Sequence, residues 1–211
     1  MVRRLSFTAA GVVIVIVLVV AFVGLFMLRR PGTLEGTSTN IHLETVAAIS
    51  DAVEFPRPND PHPDWVSYLP TTILRVPANS TVHVQIDQED GASGLRNPFW
   101  GKVFGTDGGT MHVKYFDDQG NPQEGDMSSI DPTQASHSFA IPDLGVFVPL
   151  LAVGDTAPPG TMNIITFSFK TKGPGVYRWQ CFVPCAAGTI FNNGGPMSTL
   201  GYMGGELIVS S

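Results

Sequence analysis

Cysteine is almost absent: Cys181 and Cys185 are the only two in 211 residues, so whatever sulfur chemistry the chain has is confined to one short loop. Histidine is nearly as scarce, and none of the five lies C-terminal to Cys181. The chain has no Gly-x-Ser-x-Gly elbow, no phosphate-binding glycine loop and no His-Glu-x-x-His, which argues against an independent hydrolase or nucleotide enzyme. Internal repeats and low-complexity tracts are missing too. After Asp64 no segment sustains a helical period over three turns. Basic residues are in deficit. Residues 1–30 hold four of the twelve Lys and Arg and no acid, which leaves eight against eighteen Asp and Glu, a net charge of −10 on the remainder. Such a surface disfavours nucleic acid.

One long hydrophobic run is present. From Leu5 to Leu28 the chain is uncharged, between Arg3-Arg4 and Arg29-Arg30. At helical rise it covers about 36 Å, enough to cross a hydrocarbon core of about 30 Å. It is longer than a signal-peptide core and lacks a small-x-small cleavage site, so residues 1–30 are expected to be an uncleaved single-pass anchor in the cytoplasmic membrane. The acidic remainder fits the extracytoplasmic side, where it would attract a basic partner such as a small cytochrome. Residues 31–70 are polar and proline-rich, with Phe55-Pro-Arg-Pro-Asn-Asp-Pro-His-Pro63, and are expected to form an extracytoplasmic spacer.

The third segment, 71–211, has the period-two patterning of strands. Ile73-Leu-Arg-Val and Thr81-Val-His-Val-Gln-Ile alternate on either side of a Pro-Ala-Asn-Ser turn. Further strands are expected at Met111 to Phe116, Ser136 to Ile141, Met162 to Lys170, Gly175 to Cys181 and Gly205 to Val209, with a long loop from Gly91 to Gly109. Many short strands without helices imply an all-β sandwich or Greek-key barrel.

His137 falls on one expected strand, and Cys181, Cys185 and Met203 fall in or beside the loop between the last two. A thiolate, an imidazole and a thioether are the donors that suit copper in both of its oxidation states. Met197 and Trp179 are expected to pack. His83 and His112 sit on alternating strands as surface residues, and each is a substitute ligand only if the fold brings it round. The sequence Gly173-Pro-Gly-Val-Tyr-Arg-Trp-Gln-Cys181-x-x-x-Cys185-Ala-Ala-Gly, with Met203-Gly-Gly-Glu-Leu-Ile-Val and His137-Ser-Phe, resembles the copper A domain of cytochrome c oxidase subunit II, a cupredoxin. The resemblance covers residues 70–211 and the anchor. It implies a cupredoxin-like fold, a copper site of His137, Cys181, Cys185 and Met203 with the Val183 carbonyl as a weak ligand, and partners among the integral-membrane subunits of a haem-copper oxidase or related respiratory complex.

Two departures from that family stand out. Thr189 occupies the position of its second histidine ligand, and Ile190 to Tyr202 reads as an insertion. Three outcomes remain open: an imidazole from His83 or His112, a modified or mononuclear copper site, or no metal and a Cys181–Cys185 disulfide on a scaffold that serves as a structural subunit. In each of them the chain is at most a non-catalytic electron-transfer subunit. Haem and oxygen chemistry need more spans than this chain has.

Overall fold

The computed structural model describes residues 38–46, 62, 65–184 and 194–211. In several strands alternating side chains put one apolar face inward, as period-two patterning requires. In β3 (Ile73–Pro77) Leu74 and Val76 are buried while Ile73 and Arg75 face solvent. In β4 (Thr81–Gln88) Val82, Val84, Ile86 and Gln88 point inward and His83 points out. The other strands are β1 (Ser38–Val46), β2 (Ser67–Leu69), β5 (Met111–Phe116), β6 (Pro122–Met127), β7 (Ala135–Ile141), β8 (Val146–Leu151), β9 (Asn163–Lys170), β10 (Gly175–Gln180) and β11 (Gly204–Ser210).

They form two sheets, a six-stranded one in the order β2-β1-β4-β9-β5-β6 and a five-stranded one in the order β3-β11-β10-β7-β8. Between them lies one apolar core in which Phe139 of β7 meets Phe167 and Phe169 of β9, with ring centroids 5.6 and 6.4 Å apart. Trp179 of β10 is flanked by Phe139 and Tyr68, each at 5.0 Å, and its indole N–H donates to the Thr72 carbonyl at 3.0 Å. Burying each such side chain contributes about 1.5–3 kcal/mol. Gly205 is required for this packing: a Cβ there would lie 1.9 Å from the same Thr72 oxygen, which also accepts the Glu206 N–H.

The expected all-β sandwich is present, and its expected strands are all found. The 31–70 spacer needs correction. Ser38–Val46 is β1, paired in parallel along the whole of β4, and Ser67–Leu69 is β2 on its other side. The sheet therefore begins at Ser38, not Thr71. On the face shared by Ile41 and Leu43 the next residue of β1, Thr45, is a buried hydroxyl bonded to the Gln88 side chain, so alternation of hydrophobicity is too short to register. Two edge strands also lack the pattern. Pro122-Gln-Glu-Gly-Asp-Met in β6 has no apolar face, and β8 is an unbroken apolar run carrying Pro149, which an edge tolerates. The anchor expected at residues 1–30 lies outside the described residues. Among the described residues no helix is long and apolar enough to cross a membrane.

Candidate metal centre

β7 brings His137 into place. The strand starts from a turn at Pro132–Gln134 whose Asp131 carboxylate accepts the Thr133 N–H at 2.9 Å, and all seven of its residues are buried. Against β8 its register slips: Ala135 pairs with Leu151 but His137 with Leu150, so Ser136 is an extra residue in a β-bulge. Bulges re-aim side chains. Here the bulge turns the chain immediately before the imidazole, and Ser136 Oγ is buried with no hydrogen-bond partner among the described residues.

His137 is 5% exposed, and its Nε2 lies 2.7 Å from Asp90 Oδ2. Burial disfavours an imidazolium in this position. The hydrogen bond to Asp90, then the hydrogen bond and charge of Cys181, outweigh burial and push the His137 pKa up to about 9. With Nε2 held by Asp90, Nδ1 is the nitrogen left for Cys181. Asp90 follows the end of β4, and its own carbonyl accepts the Gln88 side-chain N–H at 2.8 Å and the Val153 N–H at 3.0 Å.

Cys181 follows directly on β10 and is fully buried. Its Sγ receives the Ser138 backbone N–H at 3.3 Å, lies 3.9 Å from Ser138 Oγ, and is 3.4 Å from the Val183 carbonyl. Ser138 is itself fastened, because its Oγ accepts the Phe182 N–H at 2.9 Å and its carbonyl accepts the Tyr68 hydroxyl at 3.0 Å. The Ser138 N–H and O–H are both aimed at this buried sulfur, while its own S–H donates to the Val183 carbonyl. Met203 arrives from the other side: its carbonyl accepts the Cys181 N–H at 2.7 Å, its N–H donates to the Pro196 carbonyl at 3.1 Å, and its side chain is fully buried. Met197 and Trp179 pack into the core, as expected.

The structure thus brings His137, Cys181 and Met203 to one end of the sandwich, beside the Val183 carbonyl. Cys185 and Thr189 lie outside the described residues. His83 and His112 do not join the site. They lie on the outward face of the six-stranded sheet, where His83 Nδ1 is 2.7 Å from Ser168 Oγ and His112 Nδ1 is 2.9 Å from Asp126 Oδ1. His42 shares that face, 2.8 Å from Asp87. The fifth histidine, His62, stacks on Trp65 at 3.7 Å. No group of three or more His, Cys, Asp or Glu side chains able to hold a metal ion occurs among the described residues. By donor chemistry the residues present nevertheless fit copper: a cysteine sulfur that receives hydrogen bonds, an imidazole turned toward it and a buried thioether. The sequence carried no signal for Asp90, which reads as one of several acids at the end of a strand.

Next to Cys181 is an apolar groove of about 540 Å³ lined by Phe182, Phe147, Phe99, Trp100 and Phe104. Phe99 and Trp100 come from the long Gly91–Gly109 connection, which folds back through a short 3-10 turn at Pro98–Gly101.

No protein-family model matches the chain, and no curated protein matches it significantly. Solved structures that resemble it include rusticyanin from Thiobacillus ferrooxidans, at 16% identity over 90% of this chain and 94% of that one, with a TM-score of 0.29. Dithionite-reduced auracyanin from the photosynthetic bacterium Roseiflexus castenholzii is 12% identical over 83% of this chain and 100% of its own, with a TM-score of 0.32. A purple cupredoxin from Nitrosopumilus maritimus is 13% identical over 81% and 99%, with a TM-score of 0.27. Similarity at this level assigns no family, and the functional reading stands on the geometry of the site.

Proposed function

We propose that this chain is a cupredoxin-type copper protein that transfers electrons without catalysing a reaction of its own. The observation that carries the reading is the buried Cys181 sulfur, with the Ser138 N–H aimed at it and the His137 imidazole beside it. Copper, when bound, supplies a one-electron couple. The residues around it do the rest. His137 and Cys181 would be its principal donors, Met203 a weaker thioether donor, and Cys185 a second sulfur donor in place of the missing imidazole. Ser138 compensates charge on the sulfur, and the packed strands β7 and β10 hold the donors still, so that little rearrangement accompanies a change of charge.

We further propose that residues 1–30 anchor the domain on the outer side of the cytoplasmic membrane, as a subunit II-like component of a haem-copper oxidase or related respiratory complex that receives electrons from a basic cytochrome. The hydrophobic run, the acidic remainder and the sequence likeness around Cys181 support this.

The test is to export the full chain, supply copper, and measure bound metal, free thiols and the visible spectrum. About one or two copper ions per chain, with thiolate charge-transfer bands that vanish in Cys181→Ser, are expected. The competing reading is a copper-free structural subunit closed by a Cys181–Cys185 disulfide. It is favoured by the position of His42, His83 and His112 on the outward face of the six-stranded sheet, away from Cys181. No copper and no free thiol would establish that alternative.

A further inference from the structure

The geometry points to Asp90 as the positioning residue of the centre: its carboxylate holds His137 by Nε2, so that Nδ1 is the nitrogen presented to the Cys181 sulfur, and makes the imidazole a stronger donor there. The inference rests on reading His137 and Cys181 as ligands, and it adds to that reading a residue from the connection after β4.

A half-turn of an imidazole about its last side-chain bond puts ring carbons where its nitrogens were, so a partner on one nitrogen selects the orientation that aims the other. Here the partner is a carboxylate at 2.7 Å. It is no loose surface acid. The Asp90 carbonyl is tied to Gln88 Nε2 and Val153 N, and Gln88 is itself buried and bonded to Thr45 of β1. Asp90 is thus located by β1 and β4 of the six-stranded sheet and by the chain leaving β8, while His137 and Cys181 belong to the five-stranded sheet. The orientation of the ring is set by how the two sheets meet. An anionic acceptor on the distal N–H also pushes electron density toward the other nitrogen, which favours the more highly charged oxidised metal.

The experiment uses the full chain, labelled with ¹⁵N-histidine, as wild type, Asp90→Asn and Asp90→Glu. In the metal-free wild type a slowly exchanging, far-downfield His137 Nε2–H resonance is expected. It should move upfield or broaden in Asp90→Asn and return in Asp90→Glu, which keeps a carboxylate on a longer stem. In the copper-loaded proteins Asp90→Asn should lose about 10–100-fold in copper affinity and show a higher reduction potential, with Asp90→Glu between it and the wild type. Unchanged resonance, affinity and potential in Asp90→Asn would overturn the inference. So would an Asp90→Glu protein no different from Asp90→Asn. If the wild type takes up no copper, the reading of the site as a copper centre fails. The metal-free resonance then still decides the role of Asp90, standing if it depends on that carboxylate and falling if it does not.

Discussion

His137 and His83 are both strand histidines with a hydrogen bond to a ring nitrogen, yet they belong to different sheets and have different chemistry. His137 is enclosed at the end of the five-stranded sheet, between a carboxylate and a thiol, and its pKa is pushed up to about 9. His83, like His42 and His112, stands on the open face of the six-stranded sheet over a groove lined by polar side chains. His42 and His112 each pair with an aspartate there, at side-chain exposures of 63% and 39%, and solvent screens such pairs to about 0–1 kcal/mol. The contrast teaches that a hydrogen-bonded histidine becomes a functional candidate through what encloses it. Residue type and strand position are shared by both.

The largest effect expected from this contrast is on metal. His137→Ala should abolish copper binding, whereas His83→Ala and His112→Ala should leave bound copper at the wild-type level. Loss of copper in either surface variant would erase the distinction.

A second test uses pH on the metal-free protein. The His137 pKa is higher in the folded state than its ordinary 6.5, so the cation stabilises the fold. That contribution is complete below about pH 6.5 and is lost as pH rises through about 9, on the order of 3 kcal/mol by linkage. Urea unfolding at stepped pH should show this decline in the wild type, and a flat response in His137→Gln.

Gly205→Ala probes the scaffold without touching a donor side chain. The new methyl collides with the Thr72 carbonyl that serves both Glu206 and Trp179, and a loss of about 1–3 kcal/mol in denaturant stability is expected. Because β11 follows Met203 directly, copper affinity should fall in the same variant. The smallest effect belongs to the open face, where His83→Ala should change stability by no more than about 0.5 kcal/mol. A larger loss there would mean that the outer face is structurally closer to His137 than its exposure indicates.

Much of this was legible in the chain. Alternation at Leu74 and Val76, at Val82, Val84 and Ile86, and at Ile165, Phe167 and Phe169 announces strands because one side of each must be apolar. Of the four strands that escaped, β2 is only three residues long, and the others are those for which that requirement fails. β6 is a solvated edge with no apolar face, β8 is apolar throughout, and β1 fills its inward third position with Thr45, whose hydroxyl is satisfied only once Gln88 is beside it. In the site, Cys181 and Met203 stand out as soft donors, and His137 as the histidine on the strand that resembles a ligand strand. Asp90 does not stand out, because its role depends on a contact 47 positions away.

The sequence by itself determined the period-two strands, the acidic balance, the single hydrophobic run at residues 5–28 and the small set of soft donors, since each is a local or compositional property. Only the tertiary structure decided that residues 38–46 join the sheet, that His83 and His112 face away from Cys181, and that Asp90 reaches His137. Those facts depend on strand order, on register and on a bulge at Ser136. Such features arise from pairing between distant segments and are not encoded by any one of them.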